Sequence, residues 1–278
     1  MEITKNVHQI KIEFCITKSI KRFVYVYLIT GRSCYLIDSG IKGSEKIISK
    51  YMKQIGRNIK EVKAIFLTHS HPDHIGGAAA IKEITNCIIY ANFKTKRWSE
   101  NIDLQFKERP IPNFYQLVDQ SIKIDKIINY ELITLEGNIS LLPIYTPGHS
   151  DDSTSYLYQE KSIIFIGDTI PIKDDLPIII NYQQSINTLS LLDKLVSLSF
   201  YCPAWDKIYD QKEIKNIIIK GKEILNILYI TTQEIDDGNI GLSELSDLVS
   251  KKLNLSRLAN NPLFQRSILS CRKKLEYL

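Results

Sequence analysis

The chain has 278 residues, of which 44% are hydrophobic and 24% are charged, and its formal net charge is +5. These proportions are those of an ordinary globular protein, and the length allows one large domain or a domain with an appendage. The lysines and arginines are scattered, which favours a solvated surface over a site for an acidic partner. No apolar run approaches the length of a membrane span, so no membrane-spanning helix is expected.

The cysteines and the first residues of the chain indicate the compartment. The cysteines are Cys15, Cys34, Cys87, Cys202 and Cys271. Their number is odd and none forms a C-x-x-C pair, which is typical of buried free thiols in a reducing compartment. The first residues lack the charged and then apolar segments of a signal peptide. We therefore expect a soluble, cytoplasmic protein with no membrane partner.

The first part of the chain predicts three strands and a helix. Residues 7–17 alternate loosely between apolar and polar side chains, and residues 23–29 and 34–37 predict a hairpin. The third strand ends at Asp38, whose carboxylate could cap the turn that follows. The apolar spacing of residues 44–55 predicts a helix with one buried face.

The loop that follows the next strand holds three of the five histidines. It consists of Thr68, His69, Ser70, His71, Pro72, Asp73 and His74. The spacing fits neither one face of a helix nor one face of a strand, and it suits a loop that curls round an ion. Imidazole nitrogen and carboxylate oxygen are the usual ligands of zinc, and they suit iron or manganese nearly as well. An apolar strand at residues 62–67 precedes the loop, which places the ligands at the carboxyl end of a strand, the usual site of a layered α/β protein.

The stretch after this loop is less regular. Residues 78–84 predict a helix, and residues 87–90 predict a brief strand. Residues 98–120 contain several aromatic residues but no sustained period, so they are either a surface excursion or a lid. Because a long loop inside a compact domain is more often functional, we favour a lid that faces the substrate.

Strands return in the middle of the chain. The pattern predicts them at residues 131–135, 139–144, 155–158 and 163–166, followed by a helix at 183–198 and a strand at 199–202. Two turns beside these strands carry chemistry. His149 follows Pro147 and Gly148 at the end of a strand, and Asp168 follows an apolar strand and Gly167. An aspartate can hold two cations with its two oxygens.

Four motifs, in this order, carry a resemblance to a known family. They are Asp38-Ser39-Gly40, His69-Ser70-His71-Pro72-Asp73-His74, Thr146-Pro147-Gly148-His149-Ser150 and Gly167-Asp168-Thr169. Together they resemble the signature of the metallo-β-lactamase-fold hydrolases over roughly the first two hundred residues. The resemblance implies an α/β protein, a four-layer αββα sandwich. The hydrolase domain would comprise residues 1–206, and a helical C-terminal extension would comprise residues 207–278.

The resemblance also implies a centre for two metal ions, with zinc expected and iron or manganese as alternatives. Its ligands would be His69, His71, Asp73, His74, His149 and Asp168. Asp73 would also be the catalytic residue, which orients a water molecule or takes its proton. Asp38 and Thr68 would lie behind the ligands and support them, because ligating histidines usually donate their other N–H to a carboxylate or a carbonyl.

The chain departs from the family at the last ligand. Trp205 stands where the family usually has a histidine, and the indole nitrogen cannot bind a metal because it is only a donor. Asp206 could supply an oxygen instead, or it could cap the following helix. With no replacement ligand, the second metal would be weakly held or absent. We predict that Asp206 reaches the second metal, directly or through water, and that Trp205 packs beside the site.

The rest of the chain is predicted to be helical. Apolar stripes indicate helices at residues 214–228 and 242–249, and Asn261 with Pro262 marks a further start. The stripe of this last helix runs from Phe264 to Leu275. These stripes need burial, so we expect the helices to pack on the α/β core or on a second copy, which makes a homodimer possible. No RNA-binding signature is present, and no nucleic-acid partner is expected.

The predicted chemistry is metal-dependent hydrolysis of an ester-like bond in a small-molecule substrate. A metal held by three histidines keeps a position open for water and lowers the pKa of that water towards neutrality. The Gly-x-Ser-x-Gly motif of serine hydrolases is absent. A thioester or a lactone is the favoured substrate, and a phosphodiester is the alternative. A binding or regulatory protein, or a di-iron redox protein with a weakened second site, is the alternative from another functional class.

Overall fold

The computed structural model describes residues 1–15, 21–171, 177–195 and 198–272. Contacts divide the chain into two units. The first comprises Met1–Tyr145, Thr154–Gly167 and Cys202–Lys207, and the second comprises Thr146–Ser153, Asp168–Tyr201 and Ile208–Leu278. The last segment of the second unit begins next to the boundary predicted after residue 206. However, the second unit also takes in two segments that the prediction assigned to the hydrolase domain.

The first unit contains a sheet of seven strands that lie side by side in chain order. They are β1 (Glu2–Thr4), β2 (Val7–Cys15), β3 (Lys21–Thr30), β4 (Cys34–Ile37), β5 (Val62–Phe66), β6 (Ile88–Ala91) and β7 (Lys126–Ile127). Pairing is antiparallel from β1 to β4 and parallel from β4 to β7. The strand predicted at residues 7–17 is present as β2 up to Cys15, and residues 16 and 17 lie outside the described ranges.

A second sheet has the strand order β12-β11-β10-β9-β8. These strands are β8 (Ile133–Glu136), β9 (Ile139–Tyr145), β10 (Thr154–Tyr158), β11 (Ile163–Gly167) and β12 (Phe200–Pro203). Aromatic side chains pack between the two sheets: Tyr27 lies 5.1 Å from Phe165, and Phe66 lies 5.5 Å from Tyr156, centroid to centroid. The hydroxyl of Tyr156 also donates to the carbonyl of Leu67 at 2.7 Å, just before the histidine-rich loop.

The helices of the first unit lie against the seven-stranded sheet. They are α1 (Ser44–Gln54), α2 (Pro72–Ile75), α3 (Ala78–Thr85), α4 (Thr95–Ser99), α5 (Ile102–Glu108) and α6 (Phe114–Leu117). Helix α1 precedes the histidine-rich loop, α2 begins within it, and the others follow it. Ile48 and Met52 of α1 and Ile81 of α3 are buried in one core cluster with the strand residues Leu36 and Ile65. The stretch at residues 98–120, which showed no period, therefore contains short helices, and its proposed role as a lid stays a prediction.

The second unit is helical. It contains α7 (Tyr182–Lys194), α8 (Gln211–Ile235), α9 (Leu242–Lys252) and α10 (Pro262–Cys271). Most residues of the apolar stripes predicted for α8, α9 and α10 are buried, although Leu248 of α9 is exposed. The three helices contact one another, and α8 and α10 also contact α7. Residues 196 and 197 of the helix predicted at 183–198, and Leu275 of the last stripe, lie outside the described ranges. Among the described residues, no helix is both long enough and apolar enough to cross a bilayer.

Candidate metal centre

The histidine-rich loop begins after β5 and leads into α2. His71 has extended backbone angles and precedes Pro72, which stands at the first position of the helix, where its missing N–H is not needed. The side chains of His69, His71 and His74 are almost fully buried, and that of Asp73 is half-buried. Gly76 ends the helix where the chain approaches α6, because a Cβ atom there would lie 2.0 Å from the carbonyl oxygen of Leu117.

Two imidazoles of this loop turn their nitrogens towards each other. His69 Nε2 and His71 Nδ1 are 2.9 Å apart, and the two rings meet edge to face with centroids 4.4 Å apart. Which nitrogen carries the proton depends on the tautomer. Two ring nitrogens that converge on one point in a buried loop are positioned to share a cation.

Asp38 supports this loop from β4. Its Oδ1 accepts from the backbone N–H of Thr68 at 2.7 Å, and its Oδ2 lies 2.8 Å from both Thr68 Oγ1 and His74 Nδ1. A hydrogen bond from Nδ1–H to the carboxylate leaves the Nε2 lone pair of His74 available for a metal. Thr68 Oγ1 lies 3.0 Å from His69 Nδ1. Asp38 and Thr68 therefore contact ligand candidates in the way that the resemblance implies.

His149 lies in the turn between β9 and β10. Its Nδ1 is 2.9 Å from the carbonyl oxygen of Ile178, and its Nε2 is 3.5 Å from Asp168 Oδ2. The preceding residue, Gly148, has a φ of +136°, and a Cβ atom there would lie 2.4–2.7 Å from atoms of Ser185. Glycine therefore allows the turn to approach α7 and directs His149 towards Asp168.

Six of the predicted ligands gather into two clusters. In the first, His69, His71, His149 and Asp168 offer ligand atoms that all lie within 4.8 Å of one another. In the second, Asp73, His74 and Asp168 do the same. Imidazoles combined with carboxylates are a donor set that divalent metals such as zinc accept, so the residues fit a metal site. Asp168 belongs to both clusters, as a carboxylate that bridges two ions would.

Asp206 lies outside both clusters. It is exposed and has a φ of +68°, and its backbone carbonyl accepts a hydrogen bond from the hydroxyl of Tyr25 at 3.2 Å. The alternative role as a helix cap is wrong, because Asp210 caps α8 by accepting from two backbone N–H groups. Contact of Asp206 with the second metal, directly or through water, stays a prediction. Trp205 packs against the core cluster of the first unit.

Residues of the predicted lid contact the histidine-rich loop. The indole of Trp98 stacks on His71 with centroids 6.3 Å apart, and its Nε1 donates to Glu108 at 2.8 Å. The buried amide of Gln105 donates to the carbonyl of Ser70 at 2.6 Å. The aromatic residues of this stretch were the sequence feature that could have indicated a role for Trp98 near the site. No local pattern indicates Gln105, or the carbonyl of Ile178, because both contacts join residues far apart in sequence.

Comparison with known proteins identifies the family of the chain. A family model described as the metallo-beta-lactamase superfamily matches residues 20–199. The probable metallo-hydrolase YqgX of Bacillus subtilis is 30% identical over 146 residues, which are 52% of this chain and 64% of that protein. A hydroxyacylglutathione hydrolase of Francisella tularensis subsp. novicida is 32% identical over 146 residues, 52% of this chain and 47% of that protein. The matched segment thus spans about half to two thirds of these relatives.

The fold has relatives among solved structures. A metallo-beta-lactamase family protein from Thermus thermophilus superposes with a TM-score of 0.75 at 16% identity, over 97% of this chain and 92% of that one. This likeness confirms the predicted fold class, with its two sheets, its helices and its helical C-terminal region. Because the family match extends from residue 20 to residue 199, we conclude that the chain belongs to the metallo-β-lactamase superfamily.

Proposed function

We propose that the protein is a metal-dependent hydrolase that cleaves an ester-like bond in a small molecule, with a thioester as the first choice. The observation that carries the proposal is the pair of ligand clusters that share Asp168. A single cluster would be compatible with a structural ion. Two clusters with a common carboxylate are the arrangement expected of a two-metal hydrolytic centre.

The residues divide into two ligand sets. His69, His71 and His149 would hold one ion, Asp73 and His74 would hold the other, and Asp168 would contact both. When bound, zinc lowers the pKa of a coordinated water towards neutrality and polarises the carbonyl of a substrate. Iron or manganese remains an alternative, because imidazole and carboxylate ligands suit these metals nearly as well.

Asp73 is the proposed proton acceptor. Its carboxylate is half-buried and lies 3.8 Å from His74 Nε2, so it is next to a ligand atom and still accessible. A carboxylate in this position can orient a water molecule and take its proton as the nucleophile forms. Trp98 and Gln105 pack on the loop between the histidines and hold it in place.

The thioester preference is supported by a named relative. The Francisella protein is a hydroxyacylglutathione hydrolase, and an acylglutathione carries its acyl group on sulfur. A lactone presents a similar neutral carbonyl and is the next substrate class. An additional carboxylate from Asp206 would disfavour a negatively charged phosphodiester, but Asp206 is exposed and lies outside both ligand clusters. Phosphodiesters therefore remain the second candidate.

The test combines metal analysis with a substrate panel. The purified protein and its His149→Ala, Asp73→Asn and His8→Ala variants are analysed for bound metal, then assayed with an acylglutathione, a lactone and a phosphodiester. His8 is the matched control, because it is a buried histidine that contacts Tyr51. We expect His149→Ala to lose metal and thioester hydrolysis, Asp73→Asn to lose at least hydrolysis, and His8→Ala to retain both.

The outcomes separate the candidate functions. Hydrolysis of the phosphodiester alone would overturn the thioester assignment and leave the metal-dependent hydrolase. A protein that carries its full metal complement and cleaves none of the substrates would favour the binding or redox alternative. Full metal content in His149→Ala would remove this histidine from the centre.

A further inference from the structure

A serine in the C-terminal helix α10 makes unusual use of its hydroxyl. Ser267 is fully buried, and its Oγ donates to the carbonyl of Pro177 at 2.6 Å while it accepts from the backbone N–H of Ile179 at 3.1 Å. The same Oγ lies 3.1 Å from the carbonyl of Leu263, one turn earlier in the helix. A hydroxyl can donate and accept at once, whereas an alanine in this position could do neither.

The two backbone groups held by Ser267 lie on either side of Ile178. The carbonyl of Ile178 is the group that faces His149 Nδ1 at 2.9 Å. The next two residues also hydrogen-bond to the turn that contains His149, because the N–H groups of Ile180 and Asn181 donate to the carbonyl of Gly148 at 2.8 and 3.3 Å. The segment at residues 177–181 is therefore bonded to α10 on one side and to the His149 turn on the other.

We propose that Ser267 is a positioning residue for the metal ligand His149 and that it acts through the carbonyl of Ile178. The inference rests on the proposed metal centre, in which His149 is a ligand. By holding Pro177 and Ile179, the serine fixes the orientation of the Ile178 carbonyl. That carbonyl in turn accepts from His149 Nδ1–H and keeps Nε2 directed at Asp168.

The physical argument concerns what is lost when the hydroxyl is removed. The carbonyl of Pro177 and the N–H of Ile179 would each lose a buried partner, and the segment would relax to find new ones. The Ile178 carbonyl would move with its neighbours, and the imidazole would follow it. Mutation of a residue that directly hydrogen-bonds a metal ligand typically lowers metal affinity about 10- to 100-fold. Because Ser267 is one step further out, we expect a loss of about 3- to 10-fold.

The experiment measures metal affinity by competition with a chromophoric chelator, in the full-length protein and in the Ser267→Ala and Ser246→Ala variants. Ser246 is the matched control, since it is a fully buried serine of α9 whose hydroxyl donates to the carbonyl of Ala259 at 2.8 Å instead of to residues 177–181. A second readout is the visible spectrum of the cobalt-substituted protein, which reports the geometry of the donors around the metal. If Ser267→Ala does not fold, Ser267→Cys keeps the volume of the side chain but donates only weakly.

We expect Ser267→Ala to weaken metal binding and to change the cobalt spectrum, while Ser246→Ala changes neither, even if both variants melt at a lower temperature. Equal metal affinities and identical spectra for the two serine variants would overturn the proposal. A His149→Ala control distinguishes this failure from a failure of the proposed function. If His149→Ala strips metal but Ser267→Ala does not, only the role of Ser267 is lost.

Discussion

Asp38 combines a strained backbone with three hydrogen bonds. Its φ of +61° lies in the left-handed region, where a residue other than glycine costs about 1–3 kcal/mol, although aspartate and asparagine are more tolerant. The side chain is almost fully buried and contacts Thr68 and His74. We infer that the strain is tolerated because it turns the carboxylate towards the ligand loop.

Replacing Asp38 with asparagine tests this role. Asparagine also tolerates the left-handed backbone, so the change mainly removes charge and one acceptor oxygen. We expect metal affinity at the cluster that contains His74 to fall about 10- to 100-fold. The free energy of unfolding should fall by about 1–3 kcal/mol, because buried donors lose their acceptor. Chelator competition and urea denaturation measure the two effects.

The control for this prediction is Asp125→Asn. Asp125 also accepts from a backbone N–H and pairs with Lys82, but it lies outside the metal clusters. Asp125→Asn should at most lower the free energy of unfolding, and it should leave metal affinity unchanged. If both variants bind metal equally well, Asp38 has no special role beneath His74.

At the scale of elements, the turn between β9 and β10 is held by α7. Thr188 Oγ1 donates to the carbonyl of Pro147 at 2.7 Å, and Ser185 lies against Gly148. We predict that Gly148→Ala destabilises the protein by more than about 3 kcal/mol, because it adds a steric overlap to a backbone angle that L-residues rarely adopt. Thermal unfolding and metal analysis should show reduced stability together with loss of metal.

Gly56→Ala separates the two causes. Gly56 has a φ of +74°, but a Cβ atom there would meet nothing within 4 Å. This variant should therefore lose only about 1 kcal/mol, from backbone strain alone, and retain its metal. Equal losses in the two variants would show that the contact with Ser185 contributes little.

The regular elements were predictable because their apolar periods are long enough to read. Helix α10 begins at Pro262 with Asn261 as its cap, as the sequence indicates, and β4 has its predicted bounds. The short helix α4 was not predicted, since five residues are too few to display a period. The cap of α8 lies four residues beyond Asp206, and only the local backbone path decides which aspartate takes that role.

The candidate site was predictable where ligands cluster in sequence or follow a family motif. The supporting contacts were not, because they join distant parts of the chain. Gln105 and Ser70 are 35 residues apart, and Ser267 and Pro177 are 90 residues apart. Neither pair has a local pattern, since tertiary packing alone brings them together.

At the scale of the whole molecule, an ion pair joins the end of α8 to the end of α10. Arg272 contacts both carboxylate oxygens of Asp236, at 2.9 and 3.1 Å, and donates to the carbonyl of Ile240 at 3.0 Å. The loop between α8 and α9 is thereby held to the last described turn. The homodimer predicted through these C-terminal helices stays a prediction.

Limited proteolysis tests whether this region is an integral part of the protein. Cleavage at residues 236–238 with a protease that cuts before aspartate should leave two fragments that co-elute in native size-exclusion chromatography, because the apolar faces of α8, α9 and α10 remain buried against each other. Arg272→Met should accelerate the cleavage. The control is Lys251→Met, which removes an exposed ion pair between Lys251 and Asp247 and should leave the cleavage rate unchanged. Release of an independently folded C-terminal fragment would contradict the prediction.

The contact of Ser267 with Pro177 also has a consequence for the order in which the centre matures during protein synthesis. Chains grow from the N-terminus, and the early parts can fold while the rest is still being made. The histidine-rich loop and the turn of His149 leave the ribosome well before α10. His149 can therefore acquire its final orientation only after α10 has emerged and docked. A ribosome stalled before Ser267 would display a nascent chain that contains all six clustered ligands but lacks the hydrogen bonds that position His149.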